Sequence, residues 1–300
     1  MTRAKKPASR KSRTPARTRS RPAHRLTRFL RAFVVSSLAS FGAATYMLNP
    51  QWRIPVTAQD ILARLPWPPQ QQAAPVAAPT GAVVRTAFSQ CPQFFPNGHP
   101  PIVPAGQTLR EICFSGFAVL HDGRTKTPVL VAERLNRAML IRAQGLQRTD
   151  KFYAEARLPR AERAELDDYQ RSGYSRGHMA PAADMSTPDA MAQSFSLANM
   201  VPQDQTHNAG PWNRIEQDTR KYVMRAAGDV YVFTGPVYGD RPKTIGAGVA
   251  IPDYLYKVVY DATTKRSWVH WQANRGDARA GAPIGYEEFV RRTGVRVLPG

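Results

Sequence analysis

A break in composition near residue 83 divides this chain into a part that cannot form a core and a part that can. Residues 1–31 carry twelve lysines and arginines, no acid, and almost nothing apolar before Leu26. Such a segment buries too little to offset the entropy of ordering it, so it reads as a disordered basic head. Residues 32–52, AFVVSSLASFGAATYMLNPQW, are twenty-one positions without a charge. As a helix they would span roughly 30 Å, the thickness of a bilayer core. Residues 53–82 hold Pro55, Pro66, Pro68, Pro69, Pro75 and Pro79 with Gln70, Gln71 and Gln72, and read as a semi-rigid spacer. A fold must therefore come from residues 83–300. The net charge of +20 excludes an ordinary neutral cytosolic enzyme and points to a polyanion or an anionic membrane surface. The head supplies +12 of it, and residues 81–300 keep +7.

The uncharged stretch supports three readings, in order of preference. A retained signal anchor would leave the basic head on the inner side of a bacterial inner membrane, with the domain in the periplasm. Cleavage near Gly42-Ala43-Ala44 would release the domain as a secreted protein. A mitochondrial presequence comes third, suggested by the absence of acids before Asp60 and the abundance of Arg, Ser and Thr. Ser36, Ser37, Ser40, Gly42 and Thr45 make the stretch only moderately apolar.

From Val83 onward the pattern is that of a folded domain. Strand-like runs occur at 117–120, 128–132 and 230–234, and a longer pair at 254–260 and 267–272 is joined by a turn at 261–265. Helical patterning appears at 160–170, 187–193, 211–227 and 286–293. Strands follow one another as hairpins and do not alternate with helices. That predicts an α+β fold, a central antiparallel sheet with packed helices, and excludes a Rossmann or P-loop arrangement. Gly246-Ala247-Gly248 lacks both the lysine and the following helix of a phosphate loop. Two cysteines exclude a disulfide-rich scaffold and a cysteine-based zinc module. Cys91 and Cys113 are expected to be bridged if the domain is exported, the alternative being two buried thiols.

The residues that can carry chemistry lie between Ser172 and Arg220. Ser175-Arg176-Gly177-His178 leads to Asp184, then Asn199-Met-Val-Pro-Gln203, then His207-Asn208-Ala-Gly-Pro-Trp212-Asn-Arg-Ile-Glu216 and Arg220. Asn208, Trp212, Glu216 and Arg220 step by four, so a helix opening at Gly210-Pro211 would align them, with Asn208 near its N-terminus as a cap. Ile215, Tyr222, Val223 and Ala226 then fall on a face that packs on the sheet. Taken alone, Glu216 and Arg220 read as an i,i+4 salt bridge on a solvated face. His207 reads as an exposed loop residue, and His24, His99, His121 and His270 lack partners at ligand spacing.

Together these segments resemble the DNA/RNA non-specific endonuclease family, the ββα-metal nucleases that include endonuclease G. Its motifs are D-R-G-H, N-x-x-P-Q and an asparagine eight residues ahead of a glutamate. Here they stand as S-R-G-H, N-M-V-P-Q and N-A-G-P-W-N-R-I-E. FAVLHDGRTKTPVLVAERL, QRTDKF, VYVFTGPVY and IPDYLYKVVY also look like bacterial members, so the likeness extends over roughly residues 88–297. One departure is Ser175, which stands where the family has aspartate.

The resemblance implies a hydrolase cutting phosphodiester bonds of DNA and RNA, leaving 5′-phosphorylated ends. His178 would be the general base, since an unperturbed imidazole is neutral at working pH. A carbonyl or amide holding its other nitrogen would fix the tautomer. Asn208 would be the one direct ligand of Mg²⁺, for which Mn²⁺ could substitute. Glu216 would accept hydrogen bonds from metal-bound waters, and Asn199 would orient the site. Arg148, Arg176 and Arg220 are candidates for phosphate contacts, Arg148 resting on QRTDKF alone. Nothing resembles a base-reading helix or a stacking platform, which suits recognition of the backbone. Family members are often dimers, though this chain shows no separate interface signal, and an inhibitor protein would be a partner wherever enzyme stays in the cytoplasm. The competing reading is a membrane-tethered nucleic-acid-binding protein whose nuclease site is dead, for which Ser175 is the argument.

Overall fold

The computed structural model describes residues 83–106, 108–279 and 281–299. The basic head, the uncharged stretch 32–52 and the proline-rich spacer lie outside the described residues. Among the described residues no helix is long and apolar enough to cross a membrane.

The domain is α+β. Its centre is a six-stranded antiparallel sheet built from β3 (Leu109–Cys113), β4 (Ala118–Asp122), β5 (Thr127–Leu135), β8 (Val230–Val237), β11 (Tyr254–Asp261) and β12 (Ser267–Ala273). Their spatial order is β12-β11-β8-β5-β4-β3. The expected strands fall on these elements, the run 117–120 beginning one residue ahead of β4. The turn between β11 and β12 forms because the Asp261 carboxylate accepts from the backbone N–H groups of Thr263 and Thr264, and Lys265 takes a positive φ of 60°. Two-stranded pairs lie outside this sheet: β1 (Val83–Arg85) with β2 (Ile102–Pro104), β6 (Tyr174–His178) with β7 (Met200–Asp204), and β9 (Thr244–Ile245) with β10 (Val249–Ala250).

The helices α1 (Arg137–Ala143), α2 (Pro188–Gln193), α3 (Asn213–Val223) and α4 (Tyr286–Thr293) pack on this framework. Asn136 and Thr187 cap α1 and α2 by accepting from the N–H groups of Met139 and Ala190. The helix expected over 160–170 is instead two 3₁₀ turns, Arg160–Glu162 and Leu166–Tyr169. Glu165 separates them in extended conformation, its side chain capping the second turn while Asp168 reaches back to its N–H. That reciprocal cap starts a new turn where the pattern would have continued the old one.

The strands bury different side chains on their two faces, because alternate residues point to opposite sides. On one face Leu130, Ala132, Phe233, Tyr256 and Val258 pack with Phe88, Phe95 and Phe289. On the other, Val131 and Leu255 join Phe195, Trp212 and Ile215, while Val232 and Val259 pack on Val223. The helix α3 thus lies on the second face, through the apolar side anticipated for it. Cys91 and Cys113 are bridged, with Cα atoms 5.8 Å apart, tying the start of the domain to β3. Closing a loop of that length is worth about 3 kcal/mol in the chain-entropy picture.

Candidate active site

The segment that carries His178 begins as a strand, which its sequence does not advertise. Tyr-Ser-Arg-Gly-His has no apolar alternation, yet it forms β6 and pairs residue for residue with β7, Ser175 opposite Gln203 and His178 opposite Met200. Gly177 is needed here, since a Cβ would run into the Gln203 side chain and sit 2.6 Å from its Cβ. The strand ends at His178, where Met179 N–H donates to the Asn199 carbonyl.

Asn199 is buried and fully engaged. Its Oδ1 accepts from Ala180 N–H, and its Nδ2 donates to the carbonyls of Ala180 and Ser194, each at 2.9 Å. Asn199, expected to orient the site, is a staple holding the backbone just beyond His178. No protein group among the described residues holds a ring nitrogen of His178. Nε2 is buried without a partner, which leaves Nδ1 as the nitrogen open to the cleft. In place of the expected tautomer-fixing hydrogen bond, the ring is packed edge-on against Phe195 and tilted on Phe152, with centroids at 5.1 and 5.8 Å. Burial, reinforced by the positive charge of Arg148, lowers its pKa to about 3, so the imidazole is neutral across the working range.

The helix after β7 starts earlier than its proline suggested. Asp204 accepts from His207 N–H and caps a helical turn, Gln205–His207. The chain then passes through a π turn, Asn208–Trp212, before becoming α3. Pro211 has no N–H to complete an α-helical bond, and the wider turn accommodates that gap. Asn208 is thus inside the helical run, with helical φ and ψ, and is not the cap. Its side chain makes no hydrogen bond among the described residues and borders the cleft. His207 is buried, not exposed, with Gln203 Nε2 donating to its Nδ1.

Arg220 does not pair with Glu216. Its guanidinium donates to Asp184 at 2.9 Å, which leaves Glu216 without an ion pair among the described residues. Burial is the main force on Glu216 and raises its pKa to about 7, opposed by Lys257 and reinforced by Asp184. Behind it the sheet holds two charged residues in the interior. Glu133 is 0% exposed and neither carboxylate oxygen has a partner, while Lys257 is 1% exposed and donates to Thr234. Burial pushes the Glu133 carboxyl well upward. Sequence patterning missed both, since charged residues inside strand runs read as solvent-facing.

Arg148, Arg176, His178, Asn208, Glu216 and Arg220 border one cleft of about 280 Å³. Arg176 lies over the Phe152 ring at 4.2 Å, and Arg148 over Phe195 at 5.1 Å while pairing with Asp150. Flat aromatic faces thus hold both guanidinium groups beside the histidine. Ser175 borders the adjoining cleft of about 310 Å³, shared with Arg148, Arg176 and Asn208. Among the described residues no cluster of three His, Cys, Asp or Glu side chains is arranged to hold a metal. A partnerless amide oxygen with one nearby carboxylate is a donor set for a hard ion that keeps most of its waters.

The chain matches the family model described as DNA/RNA non-specific endonuclease over residues 100–282. It is 37% identical over 158 residues to the mitochondrial nuclease EXOG of Danio rerio, covering 49% of this chain and 46% of that protein. It is 32% identical over 155 residues to human mitochondrial endonuclease G, covering 48% and 52%. A solved structure described as the EndoG/EndoGI complex, on the mechanism of EndoG inhibition, matches with a TM-score of 0.59 and 25% identity, covering 70% of this chain and 91% of that one. The chain spans about half the length of the curated relatives it matches. With the family model covering well over half of its residues, and the motif residues gathered at one cleft, this chain belongs to the DNA/RNA non-specific endonuclease family.

Proposed function

We propose that this chain is a metal-dependent endonuclease that hydrolyses phosphodiester bonds of DNA and RNA without reading sequence. The observation that carries the reading is the single cleft bordered by His178, Asn208, Glu216 and three arginines. The imidazole, neutral and open at one nitrogen, takes a proton from the attacking water. Arg148, Arg176 and Arg220 hold phosphate oxygens with fixed charge and paired donors. Asn199 acts through the backbone beyond His178, keeping the base in register with the helix. Asn208 would hold Mg²⁺, or Mn²⁺ in its place, and Glu216 would accept hydrogen bonds from the ion's waters. When bound, the ion supplies Lewis-acid stabilisation of charge on the phosphate and on the leaving 3′-oxygen. Ser175 lies on β6 with its backbone paired to Gln203, so the strand that carries His178 forms without the family's aspartate.

The disulfide suits an oxidising compartment, as a periplasmic or secreted domain would have. The mitochondrial names of the relatives favour the organelle reading of residues 32–52, so location is tested by fractionating cells that express the tagged full chain. A protein inhibitor and a homodimer belong to the same proposal.

The test uses the full chain with supercoiled plasmid and with RNA, in Mg²⁺ and in EDTA, beside a His178→Ala control. Nicking of both substrates that needs the metal and disappears in the variant supports the reading. Binding of nucleic acid without cleavage by folded protein, in Mg²⁺ or Mn²⁺, rejects it and makes the chain a binding protein with an inactive nuclease fold.

A further inference from the structure

The sheet face under α3 buries an ammonium that takes no part in the steps proposed above. Lys257 of β11 is 1% exposed, stands directly opposite Thr234 of β8, and donates to the Thr234 hydroxyl at 2.7 Å. An ammonium has three N–H donors, and among the described residues this is the one hydrogen bond that Nζ makes. Lys257 forms no ion pair among them either, although Glu133, Asp184 and Glu216 all feel its charge. What Nζ does meet is the ring of Trp212, whose centroid lies 5.5 Å away. An apolar side chain of the same length would fill the space without the cost of burying a charge.

Trp212 is the midpoint of the helical run that carries the proposed metal residues. It closes the π turn Asn208–Trp212, four residues after Asn208 and four before Glu216, and it is wholly buried. Pro211 brings no N–H to hold that turn, so the seat of Trp212 depends on what its ring packs against. The ring packs with Val131 and Leu255 of the sheet, tilts on His207 at 5.8 Å and meets the Lys257 ammonium. Attraction between a cation and an indole face is strongest where both are desolvated, as they are here. The same charge favours the ionised form of Glu216, as Arg220 does, against burial and the charge of Asp184.

We infer that Lys257 is a positioning residue for the metal site: anchored on Thr234, its ammonium holds Trp212 against the sheet and so fixes Asn208 and Glu216, one turn to either side, at the cleft. The inference deepens the nuclease reading and rests on it for the ion. Lys257 itself touches neither ion nor substrate and acts through the indole. The fold keeps a charge in its interior because that charge seats the helix on which the site is built.

The test reads Mn²⁺ binding to the full chain by electron paramagnetic resonance without substrate, beside plasmid cleavage and thermal denaturation. Lys257→Met keeps the length of the side chain and removes its charge. It is expected to raise the Mn²⁺ dissociation constant about tenfold. It should lower kcat by about tenfold while KM for plasmid moves less than about threefold. Its melting temperature should stay or rise, since exchanging a buried charge for a packed apolar chain is neutral or stabilising. A merely structural residue would lose stability together with activity. Lys257→Arg keeps a cation that can lie on an indole, and should bring Mn²⁺ affinity back to within about threefold of the unmodified chain. Thr234→Val removes the anchor of the ammonium and should weaken Mn²⁺ about threefold, and it carries the decision if Lys257→Met does not fold. Unchanged Mn²⁺ affinity in the folded variant overturns the inference, as does a loss of affinity that runs in step with a fall in melting temperature. If the unmodified chain binds Mn²⁺ without cutting, the nuclease reading fails and the binding comparison still decides Lys257. If it binds none, the inference falls with the metal site.

Discussion

The two faces of the central sheet are made by the same strands and solve different problems. On β5, Leu130 and Ala132 point to one side while Val131 and Glu133 point to the other. On β11, Tyr256 and Val258 oppose Leu255, Lys257 and Val259. The first side is closed by stacked and tilted aromatic rings, and the Tyr256 hydroxyl on it donates to the Val129 carbonyl. The second side lies under α3 and keeps Glu133, Lys257 and Asp184 in the interior, with buried atoms of Glu133, His178 and Trp212 left unpartnered. Burying charge and orphaned donors costs stability. Among the described residues the fold accepts that cost on the face that supports the cleft. On the nuclease reading proposed above, the difference separates stability from catalysis, and substitutions can test the separation.

The largest effect is expected at the cleft. His178→Ala should lower kcat by about 10²- to 10⁴-fold, the range for a lost general base, with the melting temperature little changed. Steady-state hydrolysis of plasmid, together with thermal denaturation, checks both halves; a large fall in melting temperature would show that the two functions are not separate. On the opposite face the pattern should invert. Phe233→Ala removes a fully buried ring that stacks on Phe95, and should cost about 3–5 kcal/mol of stability while leaving kcat per folded molecule nearly unchanged. Denaturant titration paired with active-site titration would expose any leakage between the faces. Opening the Cys91–Cys113 bridge, by Cys91→Ser with Cys113→Ser, should cost about 3 kcal/mol by the same denaturant measurement.

Much of this division is legible in the sequence, but unevenly. The apolar runs that form β5, β8, β11 and β12 carry their own period, and Ile215 and Val223 announce the buried side of α3. The residues of the cleft stand out because their spacing in three short motifs is distinctive. What the pattern conceals is the structure that holds them. Tyr174–His178 carries no strand signal, because its pairing with β7 and the absence of a Cβ at Gly177 define it. The helix Arg137–Ala143 is too short and too charged to stand out. Helical spacing pairs Arg220 with Glu216, and tertiary structure supplies Asp184 instead. Glu133 and Lys257 defeat any reading in which charge means exposure.

The pH profile sharpens the comparison by a smaller amount. Lowered to about 3, His178 does not titrate in the working range and adds no limb to the profile. Glu216, raised to about 7, would need to be ionised for the role proposed for it toward metal-bound waters, so activity should fall as pH drops through that value. A bound cation favours the carboxylate, so raising Mg²⁺ should move the limb to lower pH. Profiles at two Mg²⁺ concentrations, with Glu216→Gln as the variant that loses the limb, provide the measurement. For stability the sign is opposite. A carboxyl raised from 4.5 to about 7 on folding contributes stability below 4.5 and loses it as pH rises through about 7.

The smallest effect is expected where the charge is most buried. Glu133 sits at 0% exposure, with Asp184 and Glu216 raising its pKa beyond what burial does, and Lys257 and Arg220 opposing them. The balance favours the neutral acid, which an amide imitates in shape and in having both a donor and an acceptor. Glu133→Gln should therefore change unfolding free energy by less than about 1 kcal/mol, far below the 3–5 kcal/mol lost when a buried ion pair is broken from one side. Denaturant unfolding near neutral pH measures it. A loss in the larger range would mean that Glu133 is ionised and holds Lys257 as a true partner, so that the face under the cleft is stabilised by the charge it buries.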